Sequence, residues 1–152
     1  MEPIRNSAKA IIIKEGHLLT IKHRDNEGPW FTLPGGGQDH SESLAQALER
    51  ECQEEIDSSV HVGKLRYVRE YIGKNHEFRD TDGDAHQVEF LFECHLKEDH
   101  FPGMGTNPDL GQVGIVWLPL AEIEGVRIYP KILKNLLVAD GKEAEIYLGD
   151  VN

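Results

Sequence analysis

The sequence predicts an α+β fold, a mixed β-sheet with two or three helices, and three observations carry the prediction. Apolar, β-branched segments recur along the chain between turn residues, as strands do. Leu44, Leu48, Cys52 and Ile56 repeat every four residues, which is the spacing of one helix face. Ile132, Leu133, Leu136 and Leu137 make a second apolar stripe near the end of the chain.

Taken in order, residues 7–24 read as a hairpin: Ala8, Ala10, Ile11, Ile12 and Ile13 form one arm, Glu15-Gly16 the turn, and Leu18, Leu19 and Ile21 the other. Trp30–Leu33 is a short strand, and Pro34 with Gly35, Gly36 and Gly37 breaks any regular element after it. A helix follows from Ser41 to about Ile56, with Ser41 as its cap and Glu42 at the positive end of its dipole. Val60–Ile72 and His86–Leu96 are an antiparallel pair, joined through a turn at Asp80-Thr81-Asp82-Gly83-Asp84. That acidic run does not make a calcium loop, since Ala85 and Leu91 stand where an EF-hand needs Gly and Glu.

Phe101–Gly111, rich in Gly, Pro and Asn, is a long loop; Val113–Leu118 is a strand, Pro119–Ile123 a helical turn, and Pro130 opens a final helix through Val138. Residues 140–152 carry only a weak tail signal. At 152 residues, without repeats, linkers or low-complexity tracts, the chain is expected to be one domain spanning 1–152.

Hydrophobic residues at 39% and charged residues at 28% are those of an ordinary globular protein. Asp and Glu number 27 against 16 Lys and Arg, for a net charge of −11, which disfavours nucleic acid and anionic lipid as partners. No apolar run reaches the ~18–20 residues that span a bilayer, and Met1-Glu2-Pro3-Ile4-Arg5 lacks a signal-peptide core, so a cytoplasmic location is expected. Cys52 and Cys94 lie in apolar segments and form no C-x-x-C pair, which favours buried thiols over a disulfide or a zinc site. The eight histidines never give the pair spacing of H-E-x-x-H.

The acid surplus is densest on the first helix, where Glu49, Glu51, Glu54, Glu55 and Asp57 stand against Arg50. At ~100° per residue from Leu44, the apolar arc holds Leu48 near ~40° and Cys52 near ~80°, while Glu51 falls near ~340° and Glu55 near ~20°, inside the same arc. A carboxylate aimed into an apolar face costs several kcal/mol unless neutralised. One guanidinium cannot balance the set, and a divalent cation can. Oxygen-only ligands suit Mg²⁺ or Mn²⁺. The preceding glycines let backbone approach a ligand, and a helix N-terminus favours an anion, so the parts describe a metal-bridged phosphate site where a metal-activated water attacks phosphorus.

These residues carry a resemblance. Gly36, Glu42 and the run Arg50-Glu51-Cys52-Gln53-Glu54-Glu55-Ile56 resemble the Nudix box, G-x5-E-x7-R-E-U-x-E-E-x-G-U, with Asp57 in place of its final glycine and Ser58 in place of its last aliphatic residue. Leu33-Pro34-Gly35-Gly36 and Trp117-Leu118-Pro119-Leu120 resemble the family's flanking segments. The resemblance implies a Nudix-like α/β/α sandwich that hydrolyses a diphosphate bond in a nucleoside diphosphate linked to another group: a nucleoside triphosphate, nucleotide sugar or dinucleotide. By position, Glu51, Glu54 and Glu55 would ligate metal, Gly36 would lend its backbone, Glu42 would support the cluster or bind a further metal, and Arg50 would orient the glutamates. The family leaves the general base open. Glu54 and Glu51 are candidates within the box, Asp109 in the long loop, and Glu89 on a strand. Gly37 and Arg24 are candidates for substrate binding, with selectivity expected among Lys22, His23, Arg24, Trp30, Arg69, Tyr71 and Arg79. A homodimer is compatible with the family. The alternative is a non-catalytic Nudix-like domain that senses a nucleotide; such domains usually lose box glutamates, which this chain retains.

Overall fold

The computed structural model describes residues 2–97, 112–138 and 145–152. Mixed sheets combine with helices as the sequence predicts, but the strands divide between two sheets. β1 (Arg5–Ile11), β5 (Gly35–Gly37), β6 (Val60–Ile72), β7 (His86–Leu96) and β10 (Tyr147–Asp150) form the first, in the order β10-β6-β7-β1-β5. β2 (Ile13–Lys14), β3 (His17–Asp25), β4 (Gly28–Thr32) and β9 (Ile128–Tyr129) form the second, with β8 (Gln112–Pro119) also paired to β3.

The expected hairpin at 7–24 is therefore only partly a hairpin. Ile13 and Lys14 pair with Leu18 and His17, whereas β1 pairs with β5 and β7 in the other sheet. The chain passes between sheets at Ile12, whose carbonyl accepts from Leu19 N–H at 2.9 Å. The apolar run continues through the crossover because Ala8, Ala10, Ile11 and Ile12 are all buried.

The three glycines do not end regular structure but form β5, antiparallel to β1, with Ser7 opposite Gly37 and Lys9 opposite Gly35. Gly35 sits at φ +132°, and a side chain there would run into the Ala8 carbonyl. Glycine is what permits this close approach of two strands.

The helix α1 (Leu44–Ile56) is capped two residues beyond the expected position. Ser43 caps it: its hydroxyl accepts from Gln46 N–H at 3.1 Å, while Gln46 Oε1 accepts from Ser43 N–H at 2.8 Å. Ser41 instead lies in the left-handed region at φ 73°, and Glu42 precedes the helix. At the other end Asp57 takes φ 52° and ψ 42°, the left-handed exit that glycine usually provides. Ala47, Leu48, Cys52 and Ile56 are fully buried, and the last three cluster with Ala8, Ala10, Val60 and Cys94.

β6 and β7 pair antiparallel over the expected ranges. Their connection is a 3₁₀ turn at Gly73–Asn75 and the short α2 (Arg79–Asp82) rather than a tight hairpin turn. On β7 Glu89 and Leu91 are buried, whereas His95 on the same face is exposed. A 3₁₀ turn, Leu120–Gly125, follows β8, and the last helix, α3, is confined to Leu133–Val138. The weak tail contains β10, parallel to β6, which hydropathy could not reveal because its anchors are polar. No helix among the described residues is long and apolar enough to cross a membrane.

Candidate active site

α1 packs along β5 through its second half, Arg50 at Gly37, Glu51 at Gly36 and Glu55 at Gly35, so the box carboxylates gather along the glycine strand. Arg50 is the centre of the group. Its Nε and Nη2 donate to the two oxygens of Glu42 at 3.1 and 2.7 Å, Nη2 also donates to the Gly37 carbonyl at 3.0 Å, and Nη1 donates to Glu51 at 3.0 Å and Glu54 at 3.4 Å. This bonding holds Arg50 above even the usual guanidinium range, Glu42 contributing most. In return Arg50, and then the Asp39 N–H at 2.7 Å, hold the Glu42 carboxyl below the usual carboxylate range.

Glu55 is buried and accepts from Gly35 N–H at 2.9 Å. Glu51 lies directly over Gly36, where an added Cβ would stand 2.6 Å from its carboxyl carbon. Glu54 is the most open of the ion-paired box glutamates, its side chain 35% exposed against 19% for Glu51. The structure thus brings Gly36, Gly37, Glu42, Arg50, Glu51, Glu54 and Glu55 into one site. Two cations that sequence reasoning passed over also reach it: Lys9 Nζ donates to the Gly35 carbonyl at 3.3 Å, and the Arg5 guanidinium covers Gly37. Their signal was the polar alternation of Arg5, Ser7 and Lys9 on a strand whose other residues, Asn6 apart, are apolar.

As the side chains stand, no three His, Cys, Asp or Glu residues among the described residues are arranged around an ion position, because Arg50 occupies the space among Glu42, Glu51 and Glu54. The donor set nevertheless fits a hard divalent cation. Every donor is a carboxylate or backbone oxygen, and Glu42, Glu51, Glu54 and Glu55 together outnumber the guanidinium that shares them.

Next to this site, a cleft of about 380 Å³ opens between the two sheets. Trp30 and Tyr129 from the second sheet, Arg69, Tyr71, Gln87 and Glu89 from the first, and Phe78 line it. Arg69 Nε donates to Glu89 at 2.9 Å in a pair whose side chains are 7% and 9% exposed. Burial pushes the Tyr71 phenol up to about 12, helped by Asp82, which accepts from it at 3.1 Å. His23 is buried, bonds Thr32 at 2.8 Å and stacks on Trp30 with ring centroids 4.1 Å apart.

Of the expected selectivity residues, Trp30, Arg69 and Tyr71 line the cleft, and His23 supports it from behind. Lys22, Arg24 and Arg79 do not line it, and Arg24 and Arg79 are exposed. Alternation explains the failure of Arg24: it points to the opposite side of β3 from its neighbours His23 and Asp25. Asp109 lies outside the described residues. Sequence reasoning missed Phe78, Gln87, Arg127, Tyr129 and Asn152, which come together only through tertiary pairing.

Residues 3–136 match the family model described as the NUDIX domain. Among curated proteins none matches the chain. Solved structures share the fold. A Streptococcus suis ADP-ribose pyrophosphatase is 19% identical, with a TM-score of 0.64 over 97% of this chain and 100% of that one. A MutT NUDIX hydrolase from Burkholderia pseudomallei is 22% identical, with a TM-score of 0.66 over 91% of this chain and 100% of that one. A NUDIX hydrolase from Nitrosomonas europaea is 19% identical, with a TM-score of 0.69 over 100% of this chain and 81% of that one.

Proposed function

The chain belongs to the Nudix family of pyrophosphohydrolases, and on that premise we propose that it hydrolyses a diphosphate bond in a nucleoside diphosphate linked to a further group, with Mg²⁺ or Mn²⁺ held at the box. The observation that carries the reading is Arg50, which binds Glu42, Glu51, Glu54 and the Gly37 carbonyl together at 2.7–3.4 Å. That bonding fixes the carboxylates as one group beside a backbone strand free of side chains.

In this reading Glu51, Glu54 and Glu55 hold the cation with the Gly36 backbone, and Glu42 supports them. When bound, the cation supplies Lewis acidity, lowering the pKa of a water and neutralising phosphate oxygens. Arg50 keeps the glutamates oriented. The glycine strand admits the phosphates, with Lys9 and Arg5 as nearby positive charge. A water oxygen bonds to phosphorus as the bond to the bridging oxygen breaks, and the leaving phosphate departs with that oxygen. Glu54, the most open of the ion-paired carboxylates, takes the water's proton, with Asp109 the alternative acceptor from outside the box. The retained glutamates weigh against a purely sensing domain.

The test is a panel of nucleoside triphosphates, dinucleotides and nucleotide sugars with Mg²⁺ or Mn²⁺, with the products identified. Turnover of one class, abolished by chelation, is expected. No product from any of them refutes the reading.

A further inference from the structure

The charges of the cleft are already paired within it, although Arg127 Nε and Trp30 Nε1 are buried with no hydrogen-bond partner among the described residues. Arg127 holds Asp25 through two bonds at 3.1 and 2.7 Å, Arg69 holds Glu89, and Asp82 accepts from Tyr71. The walls are the rings of Trp30, Tyr71, Phe78 and Tyr129. Such a space suits a flat, neutral group better than a phosphate, which would need a cation to spare. Two carboxamides remain to meet it. Among the described residues the Gln87 side chain makes no hydrogen bond, and that of Asn152 uses only Nδ2, donating to Glu77 Oε1 at 2.8 Å. That single bond fixes the Asn152 amide while leaving its oxygen and a second N–H available.

Asn152 reaches the cleft because β10 is latched to the sheet. Asp150 accepts from Ile72 N–H at 2.9 Å and Asn75 at 2.9 Å and bonds His76 at 2.6 Å; the Val151 carbonyl accepts from Arg69 Nη1 at 2.6 Å. This segment lies beyond residues 3–136 that match the family. The cleft also adjoins the box. Arg69, Glu89, Ser7 and Gly37 stand in register across β6, β7, β1 and β5, so Glu89 is two strand spacings, ~10 Å, from the glycine strand. A nucleotide with phosphates at the glycines would place its base in the cleft.

We infer that Asn152 is a specificity-determining residue, carried into the cleft by β10, where its carboxamide and that of Gln87 read the edge of the substrate's nucleobase. A carboxamide presents a donor and an acceptor side by side, the complement of a base edge that does the same. The inference rests on the nucleotide reading above.

Nucleoside 5′-monophosphates contain no diphosphate bond, so their binding reports on the cleft whether or not the protein hydrolyses anything. Calorimetry of the full chain with AMP, GMP, CMP and UMP in EDTA is expected to show a spread of about tenfold or more between the tightest and weakest. Asn152→Ala should cut the tightest affinity about fivefold or more and shrink the spread to about threefold or less. Gln87→Ala should act in the same direction, and Asn152→Asp, which replaces the N–H donors by an acceptor, should reorder the four. Asp150→Ala, which releases the latch, should also shrink the spread. A purely structural Asn152 would lower all four affinities by a common factor; that result, or a spread unchanged in Asn152→Ala, or no binding of any monophosphate, overturns the inference. Turnover of diphosphate substrates with an unchanged spread leaves the hydrolase reading intact, whereas selective binding without turnover does the reverse.

Discussion

Arg50 grips Glu42 with two donors, Nε at 3.1 Å and Nη2 at 2.7 Å, across eight residues of chain that include the entry to α1. The same Nη2 reaches the Gly37 carbonyl at 3.0 Å. One planar fork therefore ties the loop, the helix and the glycine strand, a geometry that a lysine ammonium cannot reproduce. Arg50→Lys keeps the charge and should retain the fold by circular dichroism, yet lower turnover by about 10²-fold because the carboxylates lose their common anchor. Wild-type turnover in that variant would remove Arg50 from the account.

Gly36 is required for space rather than for backbone freedom. Its added Cβ would stand 2.6 Å from the Glu51 carboxyl carbon and would push that side chain aside. Gly36→Ala should lower kcat by roughly 10- to 100-fold while the melting temperature moves by only a few degrees. Calorimetry alongside initial rates separates the two, and a large loss of stability with kcat preserved would contradict the placement of Glu51.

Asp150 sets an acid limit on the β10 latch. Burial pushes its carboxyl up, but hydrogen bonds from Asn75, His76 and the Ile72 N–H outweigh it and hold the group at about 2, against an ordinary 3.8. A carboxyl depressed by folding stabilises the native state above its unfolded pKa and loses that contribution as pH falls through the folded value. About 1–2 kcal/mol of stability should therefore disappear between pH 4 and pH 2. Thermal melts of wild type and Asp150→Asn check this: the difference between them should close over that window, and a constant difference from pH 6 to pH 2 would be the wrong result.

Cys52 and Cys94 are buried at 0% and 1% exposure. Burial pushes both thiols up, Cys94 to about 12 and Cys52 further. Neither should react with a thiol reagent in the native protein at pH 8 over minutes, and both should react once the chain is unfolded in guanidinium. Rapid native labelling of either would show that the core opens more readily than its packing indicates.

Much of the site was legible because it is local. Gly36, Glu42, Arg50, Glu51, Glu54 and Glu55 lie within one strand, turn and helix, so spacing and helical phase suffice to gather them. Those same rules misjudge Gly35–Gly37, because glycine reads as a breaker until β1 is known to pair with it. The cap of α1 is Ser43 rather than Ser41 because Ser43 and Gln46 complete a reciprocal capping box, while Glu42 is drawn to Arg50 about two turns along the helix. The cleft was mostly illegible. Its aromatic and amide residues come from both sheets, from Phe78 just before α2 and from Asn152 just after β10, and only the crossover at Ile12 and the long-range pairing of β10 with β6 place them together. Arg24 shows the converse, a cation close in sequence to the cleft but on the outward side of its strand.

The central claim is that the glutamates bound by Arg50 hold a divalent cation for diphosphate hydrolysis. The most direct measurement compares wild type with Glu54→Gln on a substrate the wild type turns over, with Mg²⁺ and with chelator, and records melting temperature with and without Mg²⁺ in both. Turnover is expected only with metal, together with a loss of about 10²-fold or more in Glu54→Gln with its fold intact and a Mg²⁺-dependent rise in melting temperature that the variant loses. Metal-independent turnover, or a Glu54→Gln enzyme as active and as metal-stabilised as wild type, would contradict that claim.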